Sequence, residues 1–190
     1  MNSDQNPVSL IVGLGNPGNE YARTRHNAGF MALDILATVA QPNPSVQGHF
    51  ELHKKSQTEL CKVDAQHWLA KPQQFMNNSG KAVRSLIEFF SLYELQQDAA
   101  LNSLFVVHDD LDLELGTWKM QFGTGPKIHN GLLSLYQHLG TRNFWHVRIG
   151  VDGRGGSRTM PGSNYVLAQF EPAQMEKLRI TLGQVALKLL

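Results

Sequence analysis

Short apolar runs stopped by glycine or proline alternate along this chain with apolar stripes at helical spacing, and that alternation restricts what it can fold into. Val8 to Leu14, VSLIVGL, is the first such run and reads as a buried strand. Val83, Leu86, Ile87 and Phe90 fall at i, i+3, i+4 and i+7, one face of a helix. Leu132, Leu135, Tyr136 and Leu139 repeat that spacing up to Gly140, a helix stop. Phe30, Leu33, Ala37 and Ala40 mark a helix ending before Pro42 and Pro44, and Leu178, Leu182, Val185 and Leu189 mark a last one. Between them, strands are expected around Thr58 to Val63, Trp68 to Ala70, Ser103 to Val107, Thr117 to Phe122 and Trp145 to Val151. Such alternation predicts an α/β protein: a mixed, largely parallel central sheet flanked by helices. With 190 residues and no repeat or linker, positions 1–190 are expected to form one domain, with 1–7 a loose tail.

Composition excludes more than it identifies. No apolar run approaches the roughly 20 residues of a membrane span. The start, MNSDQNPVSLIVG, lacks the basic and apolar regions of a secretory signal, so the expectation is a soluble, intracellular protein. Cys61 is the single cysteine, which excludes an internal disulfide and a multi-cysteine metal site. A net charge of +1 says little about nucleic acid, since phosphate affinity depends on how Lys and Arg are grouped.

Sites in such sheets gather where strands run into loops, so the polar clusters there matter most. The first, GLGNPGNEYARTRHNAGF, contains Gly13-x-Gly15-x-x-Gly18 after a strand, the spacing of a dinucleotide fingerprint. That fingerprint needs a helix opening at the glycines to hold a pyrophosphate. Pro17 and the polar NEYARTRHN that follow carry no helical stripe, so a tight turn is the better reading. The others are KPQQFMNNSG, VVHDDLDLELG and HNG at His129 to Gly131. Taken singly, each has an ordinary structural explanation: a helix cap for Asn77, Asn78 or Ser79, a solvated acidic turn, a second cap at HNG.

In combination and in this order, these motifs are specific. The chain resembles bacterial-type peptidyl-tRNA hydrolases in GLGNPG-x-x-Y-x-x-T-R-H-N-x-G, KP-x-x-F-M-N-x-S-G, HDDLDL-x-x-G and HNGL, over about residues 8 to 178. The resemblance implies that His26 is the catalytic histidine and Asp109 the aspartate paired with it. It implies that Asn16, Asn77 and Asn130 bind the peptide and the terminal adenosine end, with Tyr21 and Met76 lining the same crevice. Lys119 and Arg148 match positions contacting tRNA phosphates. The sequence departs from the family in two places. GTGPKIHNG replaces a longer glycine run, and Gln121 stands where a second basic residue is usual, for which Lys127 is the candidate substitute. The implied partner is the acceptor end of a peptidyl-tRNA, with no cofactor, no metal and no membrane. The expected state is a cytoplasmic monomer.

The chemistry suits these residue types. Hydrolysis of the ester needs a proton taken from water and one given to the leaving ribose oxygen, which histidine does near neutral pH. A carboxylate on the far ring nitrogen sets the tautomer and stabilises the cation. Asparagine amides supply uncharged donors for an oxyanion, a role assigned here to Asn77, with Asn16 and Asn130 positioning His26, peptide or water. Those three assignments are interchangeable on sequence alone. Two other classes are weighed: a non-catalytic RNA-binding module on the same fold, which has no need of a His and Asp pair, and a dinucleotide-dependent reductase, which lacks an acidic residue ending a second strand.

Overall fold

The computed structural model describes residues 8–40, 48–92, 100–156 and 159–190; the expected tail at 1–7, Pro42 and Pro44 lie outside them. In chain order the elements are β1 (Ser9–Gly13), α1 (Ala28–Val39), β2 (Glu51–His53), β3 (Thr58–Lys62), β4 (His67–Pro72) and α2 (Ser79–Phe89). They continue with β5 (Leu101–Glu114), β6 (Trp118–Phe122), α3 (Asn130–Leu139), β7 (Phe144–Asp152), α4 (Gly162–Leu167) and α5 (Pro172–Leu189). The seven strands form one sheet in the order β2-β3-β4-β1-β5-β7-β6. β4, β1, β5 and β7 run parallel at its centre, while β3 and β2 on one side and β6 on the other are antiparallel.

A central parallel strand is covered on both faces and therefore reads as a continuous apolar run. Leu10, Ile11 and Val12 of β1 are all buried, and their alternation divides the core. Ile11 joins Val107, Val147 and Ile149 beneath α1 and α5. Leu10 and Val12 join Leu104 and Val106 beneath α2 and α3. The strict i, i+3, i+4 pattern of α2 and α3 follows, since each presents one stripe to one sheet face. Gly140 ends α3 in the left-handed region, φ 69°, as its position in the sequence predicts.

The structure differs from the sequence reading at three elements. β2 is an edge strand whose Glu51 and Leu52 are exposed, so it lacks the alternation that marks a half-buried strand. β5 does not stop at the acidic string but carries it to Glu114, with His108, Asp109 and Asp110 fully enclosed. α4 is a six-residue helix, Gly162–Leu167, for which the sequence offered no helical stripe.

The fit of α1 against the sheet sets the approach to the functional residues. A Cβ on Gly29 would lie 2.4 Å from the Val107 carbonyl oxygen and 2.6 Å from the Leu14 nitrogen. One on Gly13 would lie 2.6 Å from the Gly29 oxygen. Two facing glycines thus let α1 rest directly on the ends of β1 and β5. The first helix opens at Ala28, beyond the Gly13 to Gly18 turn, so the dinucleotide reading drops out.

Candidate active site

β1, β4 and β5 are parallel neighbours, so the segments leaving β1 and β4 and the later half of β5 meet at one end of the sheet, beyond the carboxyl ends of these strands. His26 sits in a single 3-10 turn, Arg25–Asn27, leading into α1. Asn27 holds this turn to the loop after β1: its Nδ2 donates to the Asn16 carbonyl, and Asn16 N–H donates to its Oδ1, both at 2.9 Å. Asn16 Oδ1 in turn accepts from Met76 N–H at 2.8 Å, which ties in the loop after β4. With Oδ1 so committed, the Asn16 Nδ2 donor has no protein acceptor among the described residues.

His26 Nδ1 lies 2.8 Å from Asp109 Oδ1, and His129 Nε2 lies 3.0 Å from the same oxygen. His129 is also the N-cap of α3: its Nδ1 accepts from Leu132 N–H at 3.3 Å. A neutral imidazole has one N–H, so that bond puts the His129 proton on Nε2, which donates to Asp109. Asp109 therefore receives two N–H donors on one oxygen. His26 donates from Nδ1, which leaves its Nε2 lone pair as the base.

Burial of His26 works to lower its pKa, but the charge of Asp109 and the hydrogen bond to it outweigh burial and raise it. The same pairing works in reverse on Asp109. Its burial opposes ionisation, yet the positive potential and hydrogen bonds of His26 and His129 hold the carboxyl well below the usual range. His108, next in the strand, is enclosed, and burial together with His129 and His146 outweighs its bond to the Asp109 carbonyl (3.0 Å) and holds it neutral, far below its ordinary value.

His26, Asp109, His129 and Asn130 open onto a cleft of about 570 Å³. Met160, Pro161 and the α4 residues Gly162, Ser163 and Val166 also line it. Lys127 and Ile128, from the segment replacing the glycine run, stand at the rim, and Ile128 is 82% exposed.

The structure brings together His26, Asp109, Asn16 and Met76, with Asn130 exposed on the cleft. Met76 is buried against the start of α3, where a Cβ on Gly131 would meet its sulfur at 2.5 Å. Asn77 is exposed in the turn Met76–Asn78, and Tyr21 packs edge-on to Phe75 with ring centres 6.3 Å apart. Neither is hydrogen-bonded to the His26 and Asp109 pair. Asn78 makes no side-chain cap, and Ser79 Oγ donates to the Met76 carbonyl at 2.9 Å.

Among the basic candidates, Lys119 is exposed on β6, opposite Arg148 on β7. Arg148 is only 9% exposed, and it donates from Nε to Asp110 Oδ2 (2.7 Å) and from Nη1 to Gln121 Oε1 (2.6 Å). Gln121, where a second cation is usual, thus serves the guanidinium beside it. Lys127 is exposed, and its backbone N–H reaches Asp112 Oδ2 at 3.4 Å.

Sequence reasoning missed His129 and Asn27. The HNG motif reads as a helix cap, and His129 is one; what the motif does not reveal is that its other nitrogen faces Asp109.

His26, Asp109 and His129 have the residue types of a metal triad, with one potential ligand atom of each within 4.8 Å of the others. The cap of α3 argues against that use. With Nδ1 accepting from Leu132, a metal on Nε2 would require a doubly deprotonated ring.

A histidine held by a buried carboxylate, with its second nitrogen open to a cleft at the end of a parallel sheet, defines an acid–base hydrolytic centre. Comparison with known proteins specifies the class. The peptidyl-tRNA hydrolase family profile matches residues 10–189. The chain is 39% identical over 182 residues to a peptidyl-tRNA hydrolase of Rhodococcus opacus, covering 94% of this chain and 88% of that one. It is 40% identical over 180 residues to that of Mycobacterium tuberculosis, covering 93% and 86%. Among solved structures, peptidyl-tRNA hydrolase from Acinetobacter baumannii superposes with a TM-score of 0.77 at 31% identity, covering 98% of this chain and 89% of that one. A peptidyl-tRNA hydrolase in complex with N-propanol gives 0.79 at 31% identity, covering 95% and 86%. The chain belongs to the peptidyl-tRNA hydrolase family, of the bacterial type.

Proposed function

We propose that this hydrolase, whose reaction releases tRNA from peptidyl-tRNA, cleaves the ester by direct attack of water, with His26 as general base and then general acid. The observation that carries this reading is the 2.8 Å bond from His26 Nδ1 to a carboxylate that is itself buried, which leaves Nε2 basic towards the cleft. His26 takes a proton from water as the oxygen bonds to the ester carbonyl carbon. The resulting imidazolium is stabilised by Asp109 and returns the proton to the ribose oxygen as the carbon–oxygen bond breaks. No covalent enzyme intermediate is required.

The free Nδ2 of Asn16 supplies a donor beside His26. Asn77 is assigned to the developing oxyanion and Asn130 to the substrate or water in the cleft, with Tyr21 and Met76 as walls. The partner is the acceptor end of peptidyl-tRNA. Its phosphates are assigned to Lys119 and Lys127, with Arg148 contributing from within its pair with Asp110. The enzyme is proposed to work as a monomer in the cytoplasm; among the described residues no helix is long and apolar enough to cross a membrane.

The test is single-turnover release of an N-acetylated aminoacyl group from tRNA by His26→Ala. The expected loss is on the order of 10² to 10⁴ in rate, with tRNA affinity nearly intact. Near-normal turnover would assign the base to another residue.

A further inference from the structure

Arg25, the neighbour of His26 in the same 3-10 turn, is 4% exposed, and among the described residues no acid pairs with it. Its Nη1 donates to the carbonyl oxygens of Ala168 (3.0 Å) and Gln169 (2.9 Å), and its Nη2 to Gln174 Oε1 (2.6 Å). The guanidinium carbon lies 4.0 Å from the centre of the Tyr165 ring and 4.9 Å from that of Phe170. Backbone bonds follow the same path: Arg25 N–H donates to the Ala168 carbonyl, and Phe170 N–H to the Arg23 carbonyl. Ala168 is the C-cap residue of α4, so the guanidinium holds the chain where it leaves that helix.

α4 lines the same cleft as His26. Tyr165, on α4, also lies 4.6 Å beneath the guanidinium carbon of Arg154 and accepts from Gly153 N–H at 3.1 Å. The cleft wall, Tyr165, Arg25 and the turn bearing His26 thus form one continuous contact. A buried cation without an acid partner is a costly way to fill space, and an apolar side chain would do that more cheaply. What a planar fork of donors adds is fixed geometry between three segments: the turn, the end of α4 and α5.

We propose that Arg25 is a positioning residue that couples the seating of α4 to the aim of His26 at Asp109 and the cleft. Substrate pressed against α4 then sharpens proton transfer as well as adding affinity. The proposal rests on the reading of His26 as the base.

Arg25→Met keeps the length and apolar character of the stem and removes the fork. Its kcat is expected to fall on the order of 10- to 100-fold, as for a small misplacement of a reacting group, with KM little changed. The His26 imidazole, followed by NMR, should titrate at lower pH than in the wild type because its bond to Asp109 is loosened. Arg25→Lys, which keeps the charge but not the fork, should recover little of kcat. A folded Arg25→Met protein with wild-type kcat and an unshifted His26 titration overturns the coupling. Should Arg25→Met not fold, Gln174→Ala at the far end of the same guanidinium decides. A smaller kcat loss with the same direction of His26 shift supports the coupling, and wild-type values for both overturn it. His26→Ala run alongside separates the two ideas. If it keeps turnover, the base assignment has failed, and the His26 titration alone still tells whether Arg25 positions the ring.

Discussion

Replacing Asp109 by Asn keeps the shape of the side chain and removes the charge that His26 and His129 share through a single oxygen, at 2.8 and 3.0 Å. A charge-assisted hydrogen bond in such a setting is worth roughly 1.5–3 kcal/mol. Its loss lowers the pKa of His26. The sign follows from the competing influences. Burial lowers this pKa and Asp109 raises it, so removing Asp109 leaves burial unopposed. The base must be neutral to act, so wild-type activity should fall as pH drops through the raised His26 value. In Asp109→Asn that acid limb should move to lower pH. The plateau should fall at the same time, because the imidazolium formed in the transition state loses the same interaction. The corresponding rate loss is roughly 10- to 150-fold. The assay is kcat/KM for release of the N-acetylated aminoacyl group from tRNA across about pH 5 to 9, where the limb reports the free enzyme. An acid limb that stays in place or moves upward, in a variant that folds, would refute the electrostatic role of Asp109.

Exhaustive chelation should leave activity unchanged, because the α3 cap keeps the His129 proton on Nε2; activity lost to chelator and restored by metal would refute that. In salt titrations of tRNA binding, Lys119→Ala and Lys127→Ala should each weaken binding about equally across tRNAs and reduce the salt slope by roughly one unit. Arg148→Ala should in addition destabilise the fold by about 3–5 kcal/mol in chemical denaturation, because it strands Asp110, itself 1% exposed. His146, fully enclosed against Phe144, is pushed down to about 4 by burial. Its folded value is the lower one, so its stabilising effect is complete above its ordinary value of 6.5 and fades as pH falls towards 4. The loss, on the order of 3 kcal/mol in urea denaturation, should disappear in His146→Phe.

The parallel core was legible because Leu10 to Val12 and the stripes of α2 and α3 are apolar for reasons that periodicity reports. The buried half of β5 was harder to read. Asp109 and Asp110 look like a solvated turn in sequence, and they occupy a strand interior because partners at least 20 positions away hold them: His26 and His129 donate hydrogen bonds to Asp109, and Arg148 pairs with Asp110. His26 and Asp109 were named through the resemblance, not through any local pattern, and the structure sets them 2.8 Å apart. Arg25 and Asn27 flank His26 in the sequence but act on Ala168, Gln169, Gln174 and Asn16, contacts that a linear motif does not record. Arg148 matched a phosphate-contacting position in sequence, and its buried partner Asp110, on the neighbouring strand, left no mark there.

The groups that meet at the end of the sheet come from distant parts of the chain. His26 and Asp109 are 83 positions apart, Asn16 and Met76 are 60, and Asp109 and His129 are 20. Each pair closes a loop whose entropy is lost before the contact is made. The contacts depend on the pairing of β1 with both β4 and β5, since β1 sets where His26 stands and β5 carries Asp109. Competence in hydrolysis is therefore a property of the whole sheet and of no single segment: a fragment lacking β1 or β5 lacks either the loop that carries His26 or the strand that carries Asp109.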